Sequence, residues 1–161
     1  MLDAHVAPPL VSNDYDREHI SIVLENLHRW TGRDLIQDYG FSLATMGAQV
    51  FDADFYLLSH NIDPDPILNY GNRRVLELWE ISWAELTRMH SRETAKSSDR
   101  DSRSAVMQQV AAQNYVSGYS GVRVSKTGRE FRILDVTIWN LFTRDGHPYG
   151  QAAWFKTYEP I

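Results

Sequence analysis

Three residues in the first half of the chain have side chains that could bind a metal ion. His60, Asp63 and Asp65 place one imidazole and two carboxylates within six positions, and both groups are common metal ligands. However, Pro64 and Pro66 each follow an aspartate directly, and Asp-Pro steps are frequent in ordinary turns. The sequence therefore favours a turn at this point, and we expect no metal site.

Groups that could carry out catalysis do not occur at suitable spacings. His5, His19, His28 and His147 have no partner at ligand or catalytic spacing. The sequence contains no glycine-rich phosphate loop, no nucleophile elbow and no HExxH motif. The chain has no cysteine, which excludes catalytic thiols, disulfides, thiolate metal sites and any chromophore attached through a cysteine. We expect a protein that is not an enzyme.

Composition limits the remaining classes of function. A chain of 161 residues that is 43% hydrophobic and 12% aromatic can bury one substantial core, as a single domain does. The net charge is -5 and no long run of Lys or Arg occurs, so nucleic acid is not an expected partner. The N-terminus has no signal-peptide pattern and no apolar run reaches the length of a membrane span. We therefore expect a cytoplasmic protein with no membrane contact.

A strand that leads at once into two short helices is predicted between residues 67 and 86, ILNYGNRRVLELWEISWAEL. Asn72 stands where its side chain can cap the first turn of a helix that begins at Arg73. Ser82 and Glu85 form an S-x-x-E capping box for the next helix. We therefore assign structural roles to Asn72, Ser82 and Glu85.

The preceding residues predict a lead-in and helices. Residues 1–12 contain Pro8-Pro9 and no periodic pattern, so we expect a flexible segment. Asn13 is a predicted N-cap for a helix that ends near Gly32, and a weaker helical pattern covers residues 33–53. The first helix carries one apolar stripe, formed by Ile20, Val23, Leu24, Leu27 and Trp30.

Strands dominate the rest of the chain. Residues 54–60 and 67–70 predict two strands, and Ser98 with Asp101 could cap a longer helix. After it, turns at residues 126–128 and 144–146 separate three strands of an antiparallel meander. Strict alternation in the middle strand puts two apolar sets on opposite faces, namely Phe131, Ile133 and Trp139 against Leu134, Val136, Ile138 and Phe142. Both faces of the sheet therefore need cover, one from the short helices and the other from the N-terminal helix or a second subunit.

This order of elements resembles the PAS domain, a five-stranded antiparallel sheet with its helices over one face. PAS domains commonly carry an Asn after the second strand, as in Tyr70-Gly71-Asn72. More closely, the segments DPDPILNYGNRRVLELWEISWAEL, GYSGVRVSKTGREFRI, IWN and GQAAWF resemble the bacterial stand-alone branch of the MEKHLA family, over about residues 13–158. The resemblance implies an α+β fold with a lead-in at 1–12, an N-terminal helical extension at 13–53 and a PAS-like MEKHLA domain at 54–161.

The PAS-like arrangement suggests which residues could contact a ligand between the sheet and the helices. Most of the aromatic candidates could equally be ordinary core residues, and the two amides could be satisfied by backbone groups or solvent. The candidate ligand-binding residues are Tyr70, Trp79, Tyr119, Ile133, Trp139, Asn140, Gln151 and Phe155. The resemblance leaves any cofactor unidentified, and residues 98–114 contain no histidine for a haem.

Two functional hypotheses follow from the resemblance. The first is a sensor or regulatory module that binds a small, largely apolar molecule and signals through a partner protein. The alternative is a ligand-free module that acts by dimerisation or by binding another protein. The resemblance does not identify the ligand or the output partner.

Overall fold

The computed structural model describes residues 16–96 and 100–161 and shows an α+β architecture. The strands are β1 Tyr56–His60, β2 Leu68–Gly71, β3 Tyr115–Val124, β4 Glu130–Phe142, β5 Pro148–Phe155 and β6 Thr157–Pro160. The helices are α1 Arg17–Thr31, α2 Leu35–Asp38, α3 Met46–Phe51, α4 Arg73–Trp79, α5 Trp83–Leu86 and α6 Arg100–Gln113, with a 3₁₀ helix at Ser91–Thr94.

All six strands belong to one antiparallel sheet. Its order is β2-β1-β5-β4-β3, and β6 pairs with β4 in addition. Gly128 and Gly146 have positive φ values in the β3–β4 and β4–β5 turns, as the meander requires. The predicted PAS-like α+β fold is confirmed, with β6 as a sixth strand beside the five that were expected.

Helix α1 covers the face of the sheet opposite α4, α5 and α6. Ile20, Val23, Leu24 and Leu27 are buried in one core together with sheet residues such as Trp139. The predicted cap, Asn13, lies outside the described residues, and Asp16 stands at the N-cap position without a side-chain capping bond. The helix ends at Gly32, which has a φ of 76°. The sheet therefore separates two cores, one under α1 and α3 and one under α4 to α6.

A bulge in β4 changes which side chains share a face. Asp135 has a φ of 50°. Between the pairs Tyr119–Val136 and Gly121–Ile133, β4 advances by three residues while β3 advances by two. The extra residue shifts the alternation by one position. Phe131 and Ile133 therefore share a core with Val136 and Ile138, whereas Trp139 lies on the other face. The face assignment from strict alternation was wrong for this reason.

The junction between β2 and α4 is built around Asn72, which is completely buried. Its Oδ1 accepts hydrogen bonds from the Val75 amide at 3.4 Å and from the Leu57 amide at 3.2 Å. Its Nδ2 donates to the carbonyls of Phe55 at 2.9 Å and Val50 at 3.2 Å. Asn72 therefore caps α4 and also joins it to β1 and to the end of α3.

The capping box of α5 lies at the surface. The Ser82 hydroxyl accepts from the Glu85 amide at 3.1 Å, and the Glu85 carboxylate accepts from the Ser82 amide at 2.9 Å. Lys126 also donates to the Glu85 carboxylate. This bond and the bond from the Ser82 amide lower the pKa of Glu85 to about 2.

His19 occupies the buried contact between α1 and the sheet. Its Nε2 is 2.9 Å from Ser59 Oγ and its Nδ1 is 2.7 Å from the Tyr149 hydroxyl. Because the Ser59 hydroxyl donates to Asn69 Oδ1 at 2.6 Å, Ser59 must accept from His19 Nε2, and in a neutral ring Nδ1 then accepts from the Tyr149 hydroxyl. These bonds fit a neutral ring, and burial lowers the pKa of His19 from 6.5 to about 4.

This buried histidine predicts a loss of stability in acid. Between pH 6.5 and 4 the unfolded chain binds a proton at His19 and the folded protein does not, so the free energy of unfolding falls as the pH falls. The shift corresponds to about 3 kcal/mol over the whole window. Urea denaturation from pH 8 to pH 5 should show a loss about 2 kcal/mol larger in the wild type than in His19→Gln.

The exposed His28 on the same helix provides a control. His28→Gln makes the same substitution at an exposed position of α1 and serves as the reference for the loss of a histidine from this helix. Burial also lowers the pKa of His60, so part of the acid sensitivity remains in both variants. An identical pH profile in the wild type and His19→Gln would contradict the assignment.

Candidate functional site

A cavity of about 40 Å³ lies between the sheet and helices α4 and α6. It adjoins an open cleft of about 440 Å³ on the side of α6 and the 3₁₀ helix. The residues common to both spaces are His60, Ser91, Arg103, Met107 and Gln151. The inner cavity is lined further by mainly apolar side chains, including Leu58, Leu68, Trp79, Ile133, Val136, Ile138 and Ala153. The site therefore has a mainly apolar interior, which also contains Arg123, and a polar mouth.

Three polar side chains pair in register across the sheet, and two of them, His60 and Gln151, lie at this mouth. His60 on β1 pairs with Gln151 on β5, and Gln151 pairs with Asn140 on β4. His60 Nε2 is 3.3 Å from Gln151 Oε1, and Gln151 Nε2 donates to Asn140 Oδ1 at 3.3 Å. We call His60, Gln151 and Asn140 the polar ladder.

The polar ladder ends at the C-terminus of α6. Asn140 Nδ2 donates to the Val110 carbonyl at 3.0 Å and to Asn114 Oδ1 at 3.3 Å. The Asn140 amide also donates to the Asn114 carbonyl at 2.9 Å. Asn114 has a φ of 71° and its own amide closes the helix onto Val110. The ladder therefore joins the mouth of the cavity to the point where α6 turns into β3.

The surroundings of His60 do not fully satisfy either protonation state of its ring. Its Nδ1 lies 2.8 Å from the Asn61 carbonyl, so both ring nitrogens face acceptor oxygens. Burial, as the largest cause, and the nearby Arg103 lower the pKa of His60, partly offset by these contacts with Asn61 and Gln151. The neutral ring therefore leaves one of the two contacts without a hydrogen.

Six of the eight predicted ligand-binding residues lie on the cavity side of the sheet. Trp79, Ile133 and Gln151 line the cavity itself. Asn140 lies in the polar ladder, bonded to Gln151. Phe155 belongs to the same core, stacked on Tyr56 with ring centres 4.6 Å apart. Tyr119 packs at the edge of that core.

The structure does not bring Tyr70 and Trp139 to this cavity. Both are fully buried in the core under α1, on the opposite face of the sheet. Trp139 Nε1 donates to the Val23 carbonyl at 3.0 Å, which fixes its side chain against α1. Tyr70 lies 5.7 Å from the His19 ring, measured between ring centres. The bulge at Asp135 accounts for the position of Trp139.

Two arginines of the cavity were missed from the sequence. Arg103 belongs to α6 and Arg123 to β3, and both line the cavity. In the sequence, Val122 and Val124 flank Arg123 and would be assigned to the buried face, whereas Arg123 is only 5% exposed. In the sequence, Gly121, two residues earlier on the same face of β3, was the one signal that a neighbouring side chain occupies the space above it.

The residues considered for a metal site take part in other contacts. The Asp65 carboxylate lies 3.1 Å from Arg92 and 3.2 Å from His90, and Asp63 accepts from the Asn61 side chain at 3.1 Å. Within residues 16–96 and 100–161, no three His, Asp or Glu side chains are grouped so that they could hold a metal ion. No helix in these ranges is both long enough and apolar enough to cross a bilayer.

Solved structures with similar folds include PAS and light-oxygen-voltage (LOV) domains. A PAS domain from Colwellia psychrerythraea has a TM-score of 0.60 and 14% identity, covering 74% of this chain and 98% of that domain. An RNA-binding light-oxygen-voltage receptor has a TM-score of 0.61 and 18% identity, covering 73% of this chain and 33% of the receptor. A fungal LOV photoreceptor domain has a TM-score of 0.53 and 22% identity, covering 66% and 76%. These similarities show the fold.

The sequence itself identifies the family. Comparison with curated proteins gave no significant match. A sequence model of the MEKHLA domain matches residues 17–160, which includes α1 as well as the whole sheet. The chain therefore belongs to the MEKHLA domain family.

Proposed function

We propose that this protein is a non-catalytic sensor or regulatory module that binds a small, largely apolar molecule between its sheet and α4 and α6, and signals through a partner protein. The observation that supports this most directly is the apolar cavity, which adjoins an open cleft through polar side chains. Ligand sites in proteins commonly combine an apolar lining with a few polar groups.

The wall formed by α6 could adapt to a ligand. Val110 is the one residue of α6 placed in the core among those whose side chains are described, and Val106 and Met107 are partly buried against it. Methionine side chains are flexible and fill irregular spaces, and Met107 stands at the mouth. A ligand that displaces Met107 would enlarge the cavity and push on α6.

The polar ladder supplies a route from the cavity to the surface. A ligand that bonds Gln151 would compete with its bonds to His60 and Asn140. Because Asn140 holds the C-terminus of α6, such a change would alter the junction between α6 and β3. We expect a partner protein to bind the surface at this junction.

Native mass spectrometry and thermal unfolding test the proposal together. We expect an added mass that denaturation removes, and a higher melting temperature with at least one class among metabolites, aromatic acids, lipids and flavins. The stabilisation should reach about 2.7 kcal/mol at about 100 times the dissociation constant.

A cavity-filling variant provides the matched comparison. Ala153→Leu adds three carbons at a residue of the cavity lining and should abolish the ligand-induced shift without loss of fold. Ala111→Leu, at an exposed position of α6, should leave the shift unchanged. A broad screen without any shift, together with a bare chain in native mass spectrometry, would end the ligand proposal.

The ligand-free alternative is favoured by a different observation. Strand β3 is ten residues long and stands at the end of the strand order, and four of its ten residues are exposed and one is buried. Edge strands of this kind can pair with another chain. Light scattering across a range of protein concentrations would reveal such a dimer, and a monomer at all concentrations would count against it.

A further inference from the structure

Arg123 is a buried charged residue without an acidic partner. Among the described residues it is the only Lys, Arg, Asp or Glu in the buried class. Its guanidinium donates to the Val122 carbonyl at 2.9 Å and to the Tyr119 hydroxyl at 3.2 Å. The ion pairs found between described residues do not include Arg123. A buried cation of this kind is costly unless an anion is close to it.

The local backbone makes room for this side chain. Gly121 lies between Tyr119 and Arg123 on β3, and a Cβ atom there would collide with the Tyr119 hydroxyl and lie 2.8 Å from Arg123 Nη1. The missing side chain therefore allows the arginine to fold across the strand. Its guanidinium centre lies 5.5 Å from the centre of the Tyr119 ring.

A second cation lines the cavity, and the described lining residues include no acid. Arg103 reaches it from α6 and donates to the Ser91 hydroxyl. Of the described residues that line the cavity, none is Asp or Glu, although the whole chain has a net charge of -5. Guanidinium groups bind carboxylates through parallel hydrogen bonds, so this cavity is suited to an anionic group.

The volume limits the size of the rest of the ligand. About 40 Å³ is well below the roughly 150 Å³ of an apolar cavity that admits benzene. The neighbouring walls include Leu68, Ile133, Val136 and Ile138, which suit a carbon chain. An aliphatic carboxylate of butyrate's size has as many heavy atoms as benzene, so its chain fits only if Met107 moves towards the adjoining cleft of about 440 Å³.

We propose that the cavity binds a short-chain aliphatic carboxylate, with its carboxylate held by Arg123 and Arg103 and its chain among the aliphatic side chains of the sheet. This inference depends on the proposed ligand-binding function, for which it names the chemical class of ligand.

Titration of the full chain with butyrate, n-butanol and n-butylamine can be monitored by amide NMR shifts. The three compounds have the same carbon chain and differ in the charge of the end group, so their affinities show the effect of charge alone. Butyrate is expected to bind at least about 10-fold more tightly than n-butanol, which corresponds to about 1.4 kcal/mol, and n-butylamine is expected to bind most weakly. Inorganic phosphate alone should bind more weakly than butyrate, because it has no carbon chain.

Arg123→Met tests the role of the guanidinium and keeps an apolar stem of similar length. This variant should lose at least about 10-fold in affinity for butyrate, while its affinity for n-butanol stays within about 2-fold. Arg132→Met removes an exposed arginine of β4 that pairs with Glu159 at 3.5 Å and should bind butyrate like the wild type. If Arg123→Met does not fold, Arg103→Met provides the same comparison from α6.

The outcomes distinguish this inference from the function on which it depends. Equal affinities for butyrate and n-butanol, or phosphate binding as tightly as butyrate, would overturn the carboxylate assignment. Stabilisation by another apolar compound, with no binding of butyrate, would overturn the assignment and leave the sensor function in place. Failure of every ligand in both titration and native mass spectrometry would overturn both.

Discussion

The Leu27→Asp variant is expected to lose at least about 4 kcal/mol of unfolding free energy. Leu27 is completely buried in the core between α1 and the sheet. The substitution removes a large apolar side chain from that core, which alone costs about 2–5 kcal/mol, and it places a carboxylate among buried apolar side chains. Urea denaturation would measure the loss, and a hydrophobic dye would report the exposed face of the sheet.

The neighbouring His28 allows a matched control for this variant. His28 is exposed on the same turn of α1, so His28→Asp changes helix charge without changing the core. We expect it to cost only about 0.5 kcal/mol, because a negative charge near the C-terminus of a helix is mildly unfavourable. Similar stabilities for Leu27→Asp and His28→Asp would show that α1 does not contribute to the core as the structure indicates.

Asn72→Ala is expected to cost about 4 kcal/mol, several times the cost of an ordinary lost cap. The variant removes the side-chain partner of two amide groups and two carbonyl groups. The Val50 carbonyl still accepts from the Ala53 amide at 3.3 Å, and each of the other three costs about 1–3 kcal/mol when it is buried and unsatisfied. Relaxation of the site should keep the total below the upper end of their sum. Ser82→Ala, which removes a surface cap, should cost about 1 kcal/mol.

A conservative substitution separates the two roles of Asn72. Aspartate is as good an N-cap as asparagine, so Asn72→Asp would be tolerated if capping were the main role. The structure predicts a large loss instead, because the added carboxylate oxygen would face the carbonyls of Val50 and Phe55. Chemical denaturation at pH 7 would decide, and a loss below about 1 kcal/mol would refute the bridging role.

Local signals were sufficient to predict several elements of the fold. The caps at Asn72 and Ser82 depend on residues three positions apart, and the turns at Gly128 and Gly146 depend on backbone freedom. The bulge at Asp135 depends on how β4 pairs with its neighbours, and one aspartate gives no periodic sign of it. The sequence therefore predicted the strand and not the faces of its side chains.

The candidate site was predictable only where apolar pattern and register were both correct. Trp79, Ile133 and Gln151 reach the cavity, as the PAS-like arrangement suggested. Arg123 could not be found from the pattern, because alternation with two valines places it on the exposed face. Its burial depends on the space above Gly121 and on the position of Tyr119, which are tertiary features.

The hydrogen bonds of the polar ladder can run in only one direction. This direction couples the C-terminus of α6 to the polar groups that face the cavity. The Val110 carbonyl can only accept, so Asn140 must present its oxygen to Gln151, and Gln151 must then present its oxygen to His60. Anything that pulls the C-terminus of α6 away from Asn140 frees both amides to invert, which would reverse the polarity shown to the cavity. By thermodynamic reciprocity, a partner that prefers the inverted state would change the affinity for the ligand by the same factor as the ligand changes the affinity for the partner.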